Sequence, residues 1–248
     1  MKKQLLNTVI LTFLAVGTMM AQKIVTVDSF EKVIVSPHVE VTFEKGENET
    51  VTIEDCTVSQ DKVHIEVDGK TLRIYLEGAK EFTKNEDVII NGNKRRRSLY
   101  KGTVLTVSVS YKSLSDISLR GEETIVFASE FDQSDLNLKV YGESEVYFES
   151  LKLNKMKTTI YGESYLELKS GQIKDQKITA YGESKVNALA IDNSKTKLTV
   201  YGESDISLNV SELLKVTAYG EATIKYSGNA QIKKGLTIGG VKISQIDI

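Results

Sequence analysis

The tetrapeptide Tyr-Gly-Glu-Ser occurs four times in the second half of the chain, at an unvarying interval. Its glycines are spaced by 20 residues, at Gly142, Gly162, Gly182 and Gly202. Weaker copies of the pattern precede and follow this series, at residues 120–123, 219–222 and 238–241. A fixed period of this length is typical of a solenoid, in which each repeat forms one coil and stacks on its neighbours.

Apolar and polar residues alternate on both sides of each glycine. In the first full copy, Leu138 and Val140 precede the glycine, and Val146 and Phe148 follow it. Alternation with a period of two predicts β-strands. Strands rise about 3.3 Å per residue and pair about 4.8 Å apart, so one repeat with a few corners closes one coil of a β-helix whose coils pair in parallel. Parallel crossovers are right-handed by default.

The sequence therefore predicts an all-β fold, a right-handed parallel β-helix or β-solenoid with coils of about 20 residues. We place the repeated coils at residues 113–248 and a β-rich N-terminal part at residues 22–112, with turns at residues 45–48 and at Asp68-Gly69. The basic cluster at residues 94–97 lies between two predicted strands. We expect it to form an exposed loop, with contact to phosphate, glycan or lipid headgroups as a functional alternative.

Strand parity assigns a direction to each side chain of the repeat. Because the apolar residues of each strand face the core, Gly142 and Ser144 should face inward as well, whereas Tyr141 and Glu143 should face outward. The fifth copy has Ala222 in place of the serine. We therefore expect this inward position to need a small side chain rather than a hydroxyl group.

The outward residues form two columns along the predicted stack of coils. The tyrosine column comprises Tyr141, Tyr161, Tyr181, Tyr201 and Tyr219. The glutamate column comprises Glu143, Glu163, Glu183, Glu203 and Glu221. Stacked aromatic residues on neighbouring strands stabilise a sheet. Carboxylates about 5 Å apart instead repel each other, so counterions, lysine neighbours, protonation or a ligand must offset them.

These two columns are the candidate ligand-binding site. Tyrosine combines apolar area with a polar tip, so an aromatic strip beside carboxylates is suited to stacking on sugar rings or contacting another protein. The alternative for the tyrosines is a purely structural ladder. For the glutamates, the alternatives are calcium bridging between coils, a retaining-glycosidase pair and a solvated repeat inherited by duplication. The last is favoured, because a catalytic pair occurs once rather than in every coil.

No other part of the sequence indicates catalysis or metal binding. His38 and His64 stand alone, without a second histidine or a cysteine at metal-ligand spacing. The chain has no Gly-x-Ser-x-Gly motif, and Cys56 has no nearby base. We therefore predict no catalytic residue, no metal site and no cofactor.

Charge and the N-terminal segment indicate where the protein acts. The chain has 32 basic and 34 acidic residues, so no overall field attracts nucleic acid. Residues 1–21 combine a positively charged start, an apolar stretch and Ala21, the pattern of a secretory signal peptide. The mature chain should begin near Gln22 without an integral membrane span. Cys56 is the only cysteine, so no intrachain disulfide forms. We expect an exported protein in the periplasm, at the outer-membrane surface or outside the cell.

Three stretches and the glycine-containing coils that follow them carry a family resemblance. The stretches are FEKVIVSPHVEVTFEKGENETVTIE, KTLRIYL and VSVSYKSLSDISLRGEETI. They resemble the putative auto-transporter adhesin, head GIN domain family, a group of exported proteins found largely in Bacteroidetes, over nearly the whole mature chain. The resemblance implies a β-solenoid, often in two β-rich parts, with no established enzyme activity. The family name implies a role in adhesion.

Together these features predict a non-catalytic, exported cell-envelope protein. We expect an adhesin-like binding or structural module that presents a repeated Tyr/Glu face to a glycan or to a cell-envelope protein. A polysaccharide-active β-helix enzyme is one alternative, and it requires a single cluster of charged residues on one outer groove. A membrane-surface scaffold is the other, and it requires residues 94–97 to be exposed beside apolar surface.

Overall fold

The computed structural model describes residues 23–90 and 93–247. The signal peptide predicted at residues 1–21 lies outside the described residues. The described chain is nearly all β, with one short 3-10 turn at Gln60–Lys62 and no α-helix in the described ranges.

Nineteen strands make up the described structure. The N-terminal strands are β1 (Lys23–Thr26), β2 (Lys32–Val35), β3 (Val39–Lys45), β4 (Thr50–Cys56), β5 (Val63–Asp68), β6 (Thr71–Leu76), β7 (Asn85–Ile90), β8 (Asn93–Ser98) and β9 (Leu105–Tyr111). The later strands are β10 (Asp116–Gly121), β11 (Thr124–Gly142), β12 (Glu145–Gly162), β13 (Tyr165–Leu168), β14 (Gly171–Tyr181), β15 (Ser184–Ala188), β16 (Ile191–Asn209), β17 (Leu213–Ser227), β18 (Gln231–Ile238) and β19 (Val241–Gln245).

The strands from β10 onward form coils that stack in parallel. Equivalent residues of successive coils lie opposite one another, so Tyr141 pairs with Tyr161, Tyr161 with Tyr181, Tyr181 with Tyr201, and Tyr201 with Tyr219. The stack makes about six turns. The predicted β-solenoid is therefore confirmed, and each column of repeated residues runs along its axis.

The N-terminal strands join the same stack. β2 pairs in parallel with β10, and β3 pairs in parallel with β11, so residues 32–45 contribute a coil of their own. On the far side of that coil, β2 and β3 pair in parallel with β6 and β9. β5 and β4 then pair antiparallel with β6 and β9. Both parts of the chain therefore share one 17-stranded sheet and one apolar core.

Two predicted turns are present in this N-terminal part. β5 and β6 form a hairpin in which Asp68 lies opposite Thr71, and Gly69 has a φ of 59° at its tip. The turn predicted at residues 45–48 connects β3 to β4.

The basic cluster at residues 94–97 forms a strand, so the loop prediction for it is wrong. These residues belong to β8, which pairs antiparallel with β7 in a separate two-stranded sheet. Opposite charges across the hairpin account for the difference, since cross-strand ion pairs stabilise strand pairing. Arg97 contacts Glu86 at 2.7 Å, and Lys94 contacts Asp87 at 2.9 Å.

The apolar residues of the repeat face the core, as the alternation predicts. Val140, Val146 and Phe148 are fully buried. Inside the first coils, three phenylalanines form a column of their own: Phe43 stacks on Phe127 at 4.7 Å, and Phe127 stacks on Phe148 at 4.1 Å between ring centroids. Parallel pairing therefore aligns residues inside the solenoid as well as outside it.

The repeated glycines occupy coil corners, and the prediction that Gly142 faces the core is wrong. Gly142 is exposed, with a φ of 109°, and Gly162 has a φ of 118°. A Cβ atom on Gly162 would lie 2.2 Å from the carbonyl oxygen of Gly142 in the preceding coil. The missing side chain would point along the solenoid axis, so glycine is needed here because two backbones approach closely.

Candidate functional site

The five tyrosines form one continuous stack on the outside of the solenoid. Neighbouring ring centroids lie 4.8 to 5.1 Å apart, and neighbouring ring planes differ by 2° to 6°. The three central rings are about two-fifths exposed, at 41% for Tyr161, 37% for Tyr181 and 39% for Tyr201. The faces of the rings cover one another. The column therefore offers ring edges and hydroxyl groups to a partner, and the expectation of free ring faces for sugar stacking is wrong.

Arg120 closes the N-terminal end of the tyrosine column. It occupies the tyrosine position of the preceding coil, opposite Tyr141, and its guanidinium carbon lies 5.9 Å from the centre of that ring. Arg120 also forms an ion pair with Glu81. The sequence shows this position only as the arginine of the weaker copy at residues 120–123. A cation over the first ring face extends the aromatic stack by one charged group.

The five glutamates of the second column are exposed and line an acidic groove. The groove has a volume of about 930 Å³, and Lys185, Asp205 and Lys242 are among the residues that line it with the glutamates. None of the five glutamates forms an ion pair with another residue of the described ranges. Their mutual repulsion is therefore not relieved by a direct ion pair with a residue of the described ranges.

Buried serines connect the floor of this groove to the preceding coil. The hydroxyl of Ser144 donates to the carbonyl oxygen of Gly121 at 3.0 Å, and that of Ser164 donates to Gly142 at 3.0 Å. Ser184 makes the same bond to Gly162 at 3.2 Å. These serines face inward, as predicted. The hydroxyl group nevertheless has a bonding role that the sequence reasoning missed.

A further pocket lies at the N-terminal end of the columns. It has a volume of about 540 Å³ and is lined by His38, Phe82, Arg120 and Glu123 among others. Glu123 occupies the position of the buried serines. Burial raises the pKa of its carboxyl group, although backbone N–H groups of Glu122 and His38 lower it in part.

His38 packs tightly against Glu123 in this pocket. It has a φ of 70°, which is unusual for a residue other than glycine. Its Nδ1 atom lies 2.7 Å from the carbonyl oxygen of Gly102, and its Nε2 atom lies 2.6 Å from the Thr83 hydroxyl. Nδ1 is also 3.8 Å from the Glu123 carboxylate. Both ring nitrogens thus hold neighbouring segments of the protein in place. His64, the other solitary histidine, contacts Glu77 at 3.0 Å and stacks on Tyr75.

Two further observations concern metals and membranes. Within the described ranges, no group of three or more His, Cys, Asp or Glu side chains is placed to hold a metal ion. None of the described segments forms an apolar helix of membrane-spanning length.

Three solved structures of other proteins are similar to this chain in fold. A putative adhesin from Bacteroides fragilis matches with a TM-score of 0.73 and 17% identity, covering 91% of this chain and 96% of its own. A putative adhesin from Parabacteroides merdae matches with a TM-score of 0.67 and 17% identity, covering 92% and 96%. A putative lipid binding protein from Parabacteroides distasonis matches with a TM-score of 0.67 and 16% identity, covering 91% and 96%.

At these identities the structural likeness establishes the fold alone. No curated protein matches the chain. The model of one protein family, described as putative auto-transporter adhesin, head GIN domain, matches residues 29–230. That match spans most of the N-terminal strands and nearly all of the repeated coils. The chain therefore belongs to the putative auto-transporter adhesin, head GIN domain family.

Proposed function

We propose that this protein is a non-catalytic, exported module of the cell envelope that binds an extended partner through the Tyr/Glu strip. The Tyr/Glu strip consists of Tyr141, Tyr161, Tyr181, Tyr201, Tyr219, Glu143, Glu163, Glu183, Glu203 and Glu221. One observation carries the proposal: two outward columns run unbroken over five coils, and none of the glutamates in them has an ion-pair partner among the described residues. Regular faces of repeat proteins commonly serve as binding surfaces.

Because the stacked rings cover one another's faces, the strip would recognise a partner through its hydroxyl groups and carboxylates. Phenol hydroxyl groups both donate and accept hydrogen bonds, and carboxylates accept them. A partner rich in hydroxyl groups, such as a glycan, can satisfy both columns at once. Because the columns repeat about every 4.8 Å, weak contacts add along an extended partner, and affinity should increase with its length.

The pocket at the N-terminal end bears on the enzyme alternative. It is a single cluster of charged groups, which a polysaccharide-active enzyme would require. The groups are engaged with one another, however: Arg120 pairs with Glu81, and both ring nitrogens of His38 have close polar neighbours. The carboxylate of Glu123 is only 5% exposed. A general acid must reach the atom that it protonates, so this arrangement favours a structural role.

The test compares wild type, one triple variant and one single-residue control for binding to neutral β-glucan oligosaccharides of increasing length. Replacing Tyr161, Tyr181 and Tyr201 by Phe removes three hydroxyl groups and retains the ring stack. We expect wild-type affinity to rise with oligosaccharide length and the Phe variant to lose most of that rise, while circular dichroism stays unchanged. Asp192→Asn, an exposed carboxylate outside the strip, is the control. Equal binding by the triple variant and wild type would show that the strip is only a scaffold.

Export is a separate part of the proposal and has its own measurement. We expect fractionated cells to yield a product that starts near Gln22 outside the cytoplasm, because residues 1–21 have all three parts of a signal peptide. Mass spectrometry of the fractions identifies the first residue. An intact chain starting at Met1 in the cytosol would contradict export.

The hairpin of β7 and β8 favours a second candidate, membrane-surface attachment. Ile89 is 80% exposed and lies opposite Lys94, beside the exposed Arg95 and Arg96. Exposed apolar and basic side chains together suit an anionic lipid surface, and one structural neighbour is a putative lipid binding protein. Sedimentation with anionic and with zwitterionic vesicles tests this. Ile89→Asp should abolish any pelleting with anionic vesicles, and pelleting of that variant at the wild-type level would exclude the hairpin as the contact.

A further inference from the structure

A third column, composed of lysines, runs parallel to the tyrosines. Four of its five lysines lie four residues before a tyrosine of the tyrosine column, so the two columns are about 13 Å apart at about 3.3 Å per residue. The strand register places successive lysines opposite one another. We call this column the lysine ladder, and it comprises Lys157, Lys177, Lys197, Lys215 and Lys233. All five side chains are exposed.

Four members of the lysine ladder form one wall of a groove with a volume of about 710 Å³: Lys157, Lys177, Lys197 and Lys215. The groove extends along the solenoid from the coil of Asp116 to that of Lys215. The half-buried Leu213 is among the residues that line it, whereas the side chain of Met156 faces the core. Lysine stems also contribute apolar CH₂ groups to such a wall while their ammonium groups stay in water. The groove therefore combines an apolar lining with a row of positive charge at its edge.

The opposite wall differs from the ladder in its charge pattern. The column two residues before the ladder carries Asp135, Lys155, Asp175 and Lys195 in register, followed by the uncharged Leu213. Acidic and basic residues alternate there, so each charge has an opposite neighbour on the next coil. Lys195 also forms an ion pair with Glu212 at 3.4 Å. This wall is neutralised by its own sequence.

The ladder has no such compensation. No ladder lysine forms an ion pair with any residue of the described ranges. Its ammonium groups repeat at about the spacing of parallel strands, 4.8 Å, and like charges at that distance repel each other. An anionic ligand with regularly spaced charges would remove this repulsion and would gain one contact for each coil that it crosses.

We propose that this groove binds a linear acidic glycan, a polymer of sugars that carry carboxylates. The carboxylates would contact the lysine ladder, and the apolar faces of the sugar rings would lie against Leu213 and the lysine stems. The apolar lining favours a polyuronate-type chain over an inorganic polyanion, which has no apolar surface to bury. The site is separate from the Tyr/Glu strip and does not depend on it.

The test measures binding of oligogalacturonates of defined lengths by isothermal titration calorimetry. We expect affinity to rise with chain length and to fall with added salt, because exposed charges are screened. The double variant Lys177→Gln/Lys197→Gln removes two central contacts. At about 0.2–1 kcal/mol for each exposed ion pair, it should weaken binding about two- to thirty-fold.

A matched control removes the same charge elsewhere. Lys174 and Lys225 are exposed and lie outside the groove, so Lys174→Gln/Lys225→Gln should bind within about twofold of wild type if net charge alone contributes little. A Tyr161→Phe/Tyr181→Phe variant should also bind normally, which separates this site from the Tyr/Glu strip.

Each remaining outcome contradicts the proposal. Absence of oligogalacturonate binding by the wild type, or equal losses in the ladder and control variants, would exclude the ladder as a site. Polyphosphate of equal charge that binds as tightly as oligogalacturonate would show simple charge attraction and overturn the glycan assignment. A neutral dextran that binds equally well would overturn the role of the lysines.

Discussion

Replacing a corner glycine by alanine should destabilise the solenoid by an amount that the coil contacts determine. In Gly162→Ala, the new methyl group would lie 2.2 Å from the carbonyl oxygen of Gly142. That oxygen accepts the backbone N–H of Glu163 at 2.9 Å and the hydroxyl of Ser164 at 3.0 Å. Moving the two coils apart to admit the methyl group therefore weakens both hydrogen bonds.

The magnitude follows from three contributions. An alanine held at a φ of 118° costs about 1–3 kcal/mol. Weakening two hydrogen bonds costs about 0.5–1.5 kcal/mol each. The alanine also restricts the unfolded chain, which offsets about 0.4–1 kcal/mol. Gly162→Ala should therefore lower the free energy of unfolding by about 1–5.6 kcal/mol.

Two other glycines provide matched controls. Gly69 has a φ of 59°, but no atom lies within 4 Å of a Cβ placed there, so Gly69→Ala should cost only about 1 kcal/mol or less after the unfolded-state offset. In Gly182→Ala the closest oxygen is 2.8 Å away, which predicts an intermediate loss. Urea unfolding followed by circular dichroism gives the order. If Gly162→Ala unfolds at the same urea concentration as Gly69→Ala, the close approach of the coils does not set the need for glycine.

Three further changes test other parts of the structure. Ser164→Leu forces a large side chain into a buried position and should lower the free energy of unfolding by about 1–3 kcal/mol. Ser164→Ala should lower it by only about 1 kcal/mol, for the lost hydrogen bond. Thermal melts in which the alanine variant is the less stable of the two would refute the inward assignment. Burial raises the pKa of Glu123, so its contribution to stability is present below the unfolded-state value of about 4.3 and is lost as the pH rises through the folded-state pKa. Glu123→Gln should accordingly gain stability relative to wild type as the pH rises above the unfolded-state value, and melting temperatures that differ by the same amount at every pH would contradict this. Glu183→Gln removes a negative charge that lies between two other glutamates. It should raise the melting temperature at low salt but not at high salt, where screening already relieves the repulsion. A gain in melting temperature that is independent of salt would point to a cause other than charge.

Sequence periodicity was sufficient to predict most of the fold. The interval between Gly142 and Gly162 equals one coil, and the alternation around it specifies which residues are buried. Both features predict the structure correctly because parallel pairing places the same position of every coil in the same environment. A repeated residue therefore reports one environment several times, which makes solenoids easier to predict than folds with unique contacts.

The wrong predictions concern two kinds of contact. One kind joins neighbouring coils, and the other occurs in a part of the chain that is not repeated. Strand parity describes one strand at a time, so it could not show that the Gly142 carbonyl oxygen blocks a side chain on Gly162. For the same reason it gave the direction of Tyr161 but not the stacking of its ring on Tyr181. The charges of β7 and β8 were visible in the sequence, but their pairing depends on a hairpin register that alternation alone does not define.

The lysine ladder was also visible in the sequence, since a lysine stands four residues before every tyrosine of the column except Tyr141, and it changes how the repeated face is understood. An inherited structural repeat explains the glycines, the buried serines and the stacked rings, because each of these stabilises the contact between coils. It does not explain the charges, since a column of lysines and a column of glutamates each repel within themselves on every added coil. Alternating signs would remove that cost, and the wall of Asp135, Lys155, Asp175 and Lys195 shows that this chain has such an arrangement one column away. Two unmixed charged columns on the outside of one solenoid are therefore better explained by partners of opposite charge or matching polarity than by the stability of the fold.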